Sequence, residues 1–417
     1  MTGSWRAVPP RGHRFAFGRV LQHRVEGAAV KIFDTSVLRL PLYEERHRQL
    51  ARRIESWADE ISPELGEIEG RSPAEMGRHL TALFGRTGWY AAVGGADAAP
   101  DFRSICLIRE GFSFIHDLCD FAFSIQALAA APLVRYGSTE QRATLLPDIL
   151  AGRSIGCLAL SEPDVGSDIA NVSLRAERRC ESYALNGTKT WISNADIADF
   201  AIVLARTADQ SGPLGLSLFF VRAQSPGMRV AETIEAMARR SFGSLSFDEC
   251  IVPAAQMIGK PGLGFQIAGE ILEQYRMTVG AAATGFARRA RSAALKWARS
   301  RRLSTGTVWD MQLTKSKLAD SEVALTANAL LIAQAAWEID QQIRGFGKHS
   351  SIAKLFATEH AQRIIDDAVQ IFGAAGIVKD AVPERLYRQI RSLRIYEGTS
   401  EIQRLIIASY LQHPDIG

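Results

Sequence analysis

The feature that most constrains this chain of 417 residues is a hydrophobic period that changes twice along its length. From about residue 40 to 155 apolar residues recur three and four apart, the spacing of one helix face. Leu50, Ile54, Trp57 and Ala58 share one such stripe, and the same spacing predicts helices over 73–83, 104–131 and 139–151. Between about 156 and 258 the pattern becomes short β-branched and apolar runs, at 200–205, 216–222 and 244–247. An Asn186-Gly187 pair between strand-like runs there predicts a hairpin turn. Helical spacing then returns over 265–302, 310–344, 349–372 and 399–411. Thr399 or Ser400 is placed to cap the last helix, with Glu401 in its first turn.

This plan predicts a mainly α protein with a central β domain. The expected boundaries are a basic extension over 1–38, a helical domain over 39–155, a β-barrel or sandwich over 156–262 and a four-helix bundle over 263–417. Hydrophobic residues make up 47% and charged residues 23%, which suits large packed cores. The formal charge of +4 is spread thinly, with no Lys/Arg block of the kind that tracks nucleic acid. No run approaches the length of a membrane-spanning helix, and the N-terminus lacks the apolar stretch of a secretory signal. A cytoplasmic location and no membrane or nucleic-acid partner are expected. The five cysteines, Cys106, Cys119, Cys157, Cys180 and Cys250, form no CxxC pair and lie at no metal-ligand spacing, so free buried thiols and no metal are expected. The first thirty or so residues set Arg6, Arg11, Arg14, Arg19 and Arg24 against the single acid Glu26. Pro9, Pro10 and Gly12 interrupt any early amphipathic helix, so a flexible arm or an early start codon is favoured over a transit peptide.

Three short strings carry the chemistry. They are Leu160-Ser161-Glu162-Pro163-Asp164-Val165-Gly166-Ser167-Asp168, then Lys189-Thr190-Trp191-Ile192-Ser193-Asn194, then Ile395-Tyr396-Glu397-Gly398-Thr399-Ser400-Glu401-Ile402-Gln403-Arg404. Alone, Glu397 reads as a carboxylate at a helix start, Trp191 as a core aromatic of a hairpin and Ser161 as a turn residue. In this order and in an α–β–α frame, together with Arg301, Gln312 and Gln370 to Gly373, they resemble the acyl-CoA dehydrogenase family over about residues 40–412.

That resemblance implies FAD as cofactor and α,β-dehydrogenation of an acyl thioester carried by CoA or by an acyl or peptidyl carrier protein, and leaves room for a biosynthetic role. Glu397 would take the proton α to the thioester carbonyl while the β-hydride passes to the flavin. A buried carboxylate has a raised pKa and is the stronger base. The carbonyl oxygen would sit between the Glu397 N–H and a ribityl hydroxyl of FAD, an oxyanion-hole arrangement. By the same resemblance the flavin ring is held by Leu158, Leu160, Ser161, Gly166, Ser167, Trp191 and Ser193. The adenosine diphosphate half is met by Arg301, Gln312, Gln370, Gly373, Ala374, Thr399 and Glu401, partly from a neighbouring subunit of a dimer or tetramer. Ser167, Tyr275, Arg276, Tyr396 and Gly398 are the expected substrate contacts. An electron-transfer flavoprotein is the expected electron acceptor.

The sequence departs from the family pattern at Ser304, at Ala374 and at Gln389, where an aromatic, a glycine and an aspartate are usual. Relatives that keep the base on the long helix after the β domain do so at the position of Tyr275, which is no carboxylate; Glu273 is two residues away. Arg276 and Arg388 read better as structural ion-pair partners than as site residues. The alternatives to dehydrogenation are an oxygen-using oxidase or flavin monooxygenase of the same family, or a non-enzymatic helical flavoprotein or nucleic-acid binder. Retention of Glu397 favours dehydrogenation.

Overall fold

The computed structural model describes residues 31–209 and 212–412; residues 1–30 of the basic N-terminal extension lie outside the described residues. Six helices come first: α1 (Thr35–Leu38), α2 (Glu45–Ile68), α3 (Pro73–Arg86), α4 (Phe102–Ile115), α5 (Asp117–Tyr136) and α6 (Thr139–Leu150). Their starts are written in the sequence. Ser72 accepts from the Glu75 amide while the Glu75 carboxylate reaches back, with Pro73 at the first helical position, and Ser138 and Gln141 repeat the device at α6.

The single helix expected over 104–131 is broken at His116, whose backbone is extended. His116 Nδ1 accepts from the Leu118 amide and so caps α5, while Nε2 lies 2.8 Å from Glu69. No glycine or proline marks this break, and apolar spacing continues on both sides of it. Helix α5 is, against the sequence expectation, long and apolar enough by composition to cross a membrane. It is instead the central helix of the N-terminal core: nearly all of its residues are buried.

Eight strands follow: β1 (Gly156–Ala159), β2 (Arg175–Arg179), β3 (Ser182–Ser193), β4 (Phe200–Arg206), β5 (Leu216–Arg222), β6 (Met228–Thr233), β7 (Phe242–Pro253) and β8 (Met257–Ile258). They form one sheet in the order β6-β7-β3-β2-β4-β5-β8, with β1 parallel to β4. Strand β4 is buried on both faces, as its unbroken apolar run requires. Phe200, Ile202 and Leu204 pack on the helices, and Ala201, Val203 and Ala205 face the sheet's own core with Leu185, Phe219, Val221 and Leu245.

The hairpin turn is not at Asn186-Gly187. Strand β3 runs straight through that pair, which forms a bulge against β7, and the β2–β3 turn is made at Cys180 and Glu181. Gly187 takes a φ of 140°, and a Cβ there would lie 3.0 Å from the Leu174 backbone. Asn186 exchanges two hydrogen bonds with Glu249, 2.7 Å from its Nδ2 to the carboxylate and 2.8 Å from the Glu249 amide to Oδ1. The Asn-Gly signal is thus used to bend a strand. Four cysteines are free and buried as expected, but Cys180 is exposed in the turn.

The C-terminal part is a bundle of α7 (Gly264–Ser300), α8 (Gln312–Asp340), α9 (Phe346–Phe372) and α10 (Val382–Leu393), closed by α11 (Ser400–Gln412). A two-stranded ribbon, β9 (Arg302–Leu303) with β10 (Gly306–Thr307), links α7 to α8. Thr399 Oγ1 accepts from the Ile402 amide and caps α11. Arg388 is an ion-pair partner, with Glu384 at 2.7 Å.

Candidate active site

Two of the three strings are fastened together by a buried ion pair. Lys189 Nζ donates to Glu162 at 2.8 Å and to the Leu160 carbonyl at 2.9 Å, and both side chains are shielded from water. Glu162 also accepts from the Ser173 amide and hydroxyl and from the Leu174 amide. Burial raises its carboxyl and Lys189 with these donors more than compensates, so its pKa lies below the ordinary value. The Thr190 amide donates to the Ser161 carbonyl at 3.0 Å. Lys189 and Glu162 are therefore the lock that puts Ser161 beside Trp191.

At Trp191 the strand bulges against β7 and the backbone turns left-handed, with φ of 61°. A bulky residue in that region costs of order 1–3 kcal/mol and persists only where its surroundings hold it. The result is a large aromatic left 55% exposed at the rim of a cavity.

The third string arrives from the bundle. Glu397 and Gly398 are both left-handed, with φ of 54° and 88°. Buried Lys354 on α9 donates to the Gly398 carbonyl at 2.5 Å, and Gln403 Nε2 donates to the same carbonyl at 2.9 Å and to that of Glu397 at 3.3 Å. The flanks are tied down as well: Arg394 and Ser400 both bond Glu359. The left-handed turn, unfavourable at Glu397 and free at Gly398, is thus held by two donors on its carbonyls.

Glu397 lines the cavity. Its Oε2 is out of solvent and has no hydrogen-bond partner. Burial pushes its pKa up to about 7, opposed by the positive charges of Arg109, Lys354 and Arg276. Arg109 is itself buried and paired with Asp120 at 2.8 Å and 3.1 Å. The Glu397 N–H donates to no acceptor among the described residues. Burial also lowers the Lys354 amine to about 8.

The cavity, of about 180 Å³, is lined by Leu158, Leu160, Ser161, Gly166, Trp191, Ser193, Tyr396, Glu397 and Gly398 from the expected set. Phe121, Ser124, Ile125 and Leu128 add one face of α5, with Leu272, Ile169, Ile192 and Arg240 completing the wall. The α5 residues recur at helical spacing, but a buried core stripe has the same pattern, so sequence alone did not separate them. Ser167 is not on the wall. Tyr275 is buried against Phe102, its hydroxyl 3.4 Å from the Ala127 carbonyl, and does not line the cavity. Arg276 borders an outer groove with Glu273 and Tyr410 instead. Glu273 thus faces away from the cavity, which leaves Glu397 as the carboxylate on its wall.

Arg301, Gln312, Gln370, Gly373, Ala374 and Glu401 are exposed. The first five lie around the α7–α8 ribbon and the C-terminal end of α9, and the structure does not bring them to the cavity.

Residues 44–153, 157–250 and 262–412 match the family models described as acyl-CoA dehydrogenase N-terminal, middle and C-terminal domains. The chain belongs to the acyl-CoA dehydrogenase family. It is 38% identical to the short-chain specific acyl-CoA dehydrogenase of human mitochondria over 287 residues, 68% of this chain and 69% of that one. Among solved structures, butyryl-CoA dehydrogenase of Megasphaera elsdenii superposes with a TM-score of 0.81 at 28% identity, covering 89% of this chain and 99% of the other. The prolyl acyl carrier protein oxidase AnaB gives 0.82 at 26%, covering 88% and 99%. A glutaryl-CoA dehydrogenase of Mycobacterium smegmatis in complex with FADH2 gives 0.80 at 28%, covering 90% and 96%.

Like its acyl-CoA dehydrogenase relatives, the protein is an FAD-dependent oxidoreductase acting on acyl thioesters. The residues present fit such a cofactor. An uncovered indole at the cavity rim, the hydroxyls of Ser161 and Ser193, and an apolar wall of Leu158 and Leu160 suit a flat, polar-edged ring.

Proposed function

We propose that the enzyme removes the α-proton and β-hydride of an acyl thioester, with Glu397 as the base. The observation that carries this reading is the Glu397 carboxyl: on the cavity wall, out of water at Oε2, without a partner there, and half-ionised near neutral pH. A base matched to the working pH is the effective one for a weakly acidic C–H. The bound FAD supplies the two-electron acceptor for the hydride. Glu397 takes the α-proton onto its carboxylate, and its own N–H is available to the thioester carbonyl as charge builds there. Gly398 lets the ligand approach the backbone closely. Lys354 and Gln403 keep the pair in its left-handed turn. Leu158, Leu160 and the α5 face keep water from the reacting carbons.

The exposed set on the bundle, Arg301, Gln312, Gln370, Gly373 and Ala374, supports contact with the adenosine diphosphate half of FAD across a subunit boundary. Apolar side chains stand uncovered around it, including Leu313 at 79% and Ile377 at 72% exposure. A homodimer or homotetramer follows; a purified monomer that retained FAD would oppose it. The carrier of the acyl group is CoA or an acyl carrier protein, and an electron-transfer flavoprotein accepts the electrons. Likeness to a carrier-protein oxidase supports oxygen as the competing acceptor. Stopped-flow oxidation of the reduced enzyme with bound product separates the two, since rapid reaction with oxygen identifies an oxidase. Anaerobic mixing of the holoenzyme with a panel of acyl-CoA and acyl-carrier thioesters tests the dehydrogenation itself: at least one must bleach the flavin.

A further inference from the structure

The cavity wall carries one cationic side chain for which the dehydrogenation chemistry has no use. Arg240 lies in the connection between β6 and β7. Its guanidinium carbon is 5.3 Å from the centroid of Phe121 and 5.5 Å from that of Tyr396, two rings that line the same cavity. It therefore sits beside the residue that precedes Glu397.

Three neighbouring arginines are matched by carboxylates. Arg109 has Asp120, Arg239 has Glu69, and Arg385 has both Asp117 and Glu69. Arg240 has no carboxylate within ion-pair distance. It donates to the neutral amide oxygen of Gln389 at 3.2 Å, and its Nε is out of solvent without a partner. The carboxylate nearest to Gln389, Asp117, already accepts from Arg385 and from the Gln389 amide nitrogen. The Ser124 hydroxyl on the same wall is spent on the Phe121 carbonyl. A half-buried guanidinium with a forked set of donors and only one neutral acceptor is under-satisfied, and its natural complement is a bidentate carboxylate.

We propose that Arg240 binds a carboxylate on the acyl group, so that the preferred substrates are thioesters of short dicarboxylic acids. This rests on the dehydrogenation reading. Arg240 lies beside Tyr396, the residue that precedes Glu397, and this puts the cation within reach of a carboxylate on a short acyl group. The Phe121 and Tyr396 rings both lie within cation–π distance of the guanidinium.

The test uses the FAD-loaded enzyme and two pairs of thioesters, succinyl with butyryl and glutaryl with pentanoyl. Each pair is compared as a ratio of kcat/KM, in the wild type, in Arg240→Gln and in Arg240→Lys. The expected wild-type ratio favours the carboxylated partner by roughly tenfold or more, the scale of one charge-assisted hydrogen-bonded pair. Arg240→Gln should bring the ratio to unity or below, and Arg240→Lys should keep part of it. Flavin content and circular dichroism establish that each variant is folded. A wild-type preference for the uncharged thioesters overturns the proposal, as does an Arg240→Gln variant that lowers both partners equally. If butyryl and pentanoyl thioesters bleach the flavin without any advantage for the acids, this inference fails alone. If no thioester bleaches it, the dehydrogenation reading fails with it.

Discussion

Replacing Lys354 by methionine should move the pH dependence of the reaction to higher pH. Glu397 is active as the anion, and its pKa of about 7 predicts a rate that climbs as pH rises through neutrality and levels off above it. Lys354, titrating near 8, is still charged where Glu397 ionises, and its charge favours the anion. A unit charge roughly 6 Å from a carboxylate, at an effective dielectric of about 20, stabilises the anion by roughly 3 kcal/mol, or about two pH units. The midpoint of kcat/KM should therefore move from about 7 to about 9, and activity at pH 7 should fall roughly 50-fold while recovering at high pH. Lys354 also donates to the Gly398 carbonyl, so methionine should lower the plateau too. Lys354→Gln, which can keep a donor there without the charge, should shift the midpoint with a smaller loss of plateau. The assay is a pH series on the FAD-loaded enzyme with a saturable electron acceptor. An unchanged midpoint in both variants refutes the electrostatic role, whatever happens to the plateau.

Other perturbations give separate readouts. Gly398→Ala places a Cβ 2.5 Å from Gln403 Nε2 at a φ of 88°, so a cost of about 1–2 kcal/mol and displacement of the Gln403 clamp are expected, read as a lower thermal midpoint and slower flavin bleaching. Lys189→Met leaves the buried Glu162 carboxylate without its cation, a loss of roughly 3–5 kcal/mol, measured by thermal denaturation and by FAD released on dilution. Because the Glu162 pKa lies below its unfolded value, its contribution is present at neutral pH and is lost on acidification, so the stability gap between wild type and Lys189→Met should narrow at low pH. Trp191→Ala should weaken FAD retention while leaving the melting of the apoprotein nearly unchanged, since the indole is 55% exposed.

The layered plan was legible because hydrophobic period is a local property, and α, β and α each filled their own stretch of sequence. The break at His116 was not, since an imidazole cap replaces the usual glycine or proline signal and its partner Glu69 is remote in sequence. Asn186-Gly187 was misplaced because the left-handed freedom that suits a hairpin suits a bulge equally, and only pairing with β7 decides between them. The three strings marked the cavity, yet its other wall came from an α5 stripe indistinguishable from core. Arg240 belongs to no string at all. Its meaning lies in which carboxylates the neighbouring arginines have already taken, a three-dimensional property.

The most direct measurement is anaerobic flavin absorbance after mixing thioester with the FAD-loaded wild type and with Glu397→Gln. The amide keeps nearly the shape of the side chain and removes the base. Wild type should bleach, and the variant should retain its flavin and stay coloured with the same thioester. A variant that bleaches at the wild-type rate would contradict Glu397 as the group that takes the α-proton.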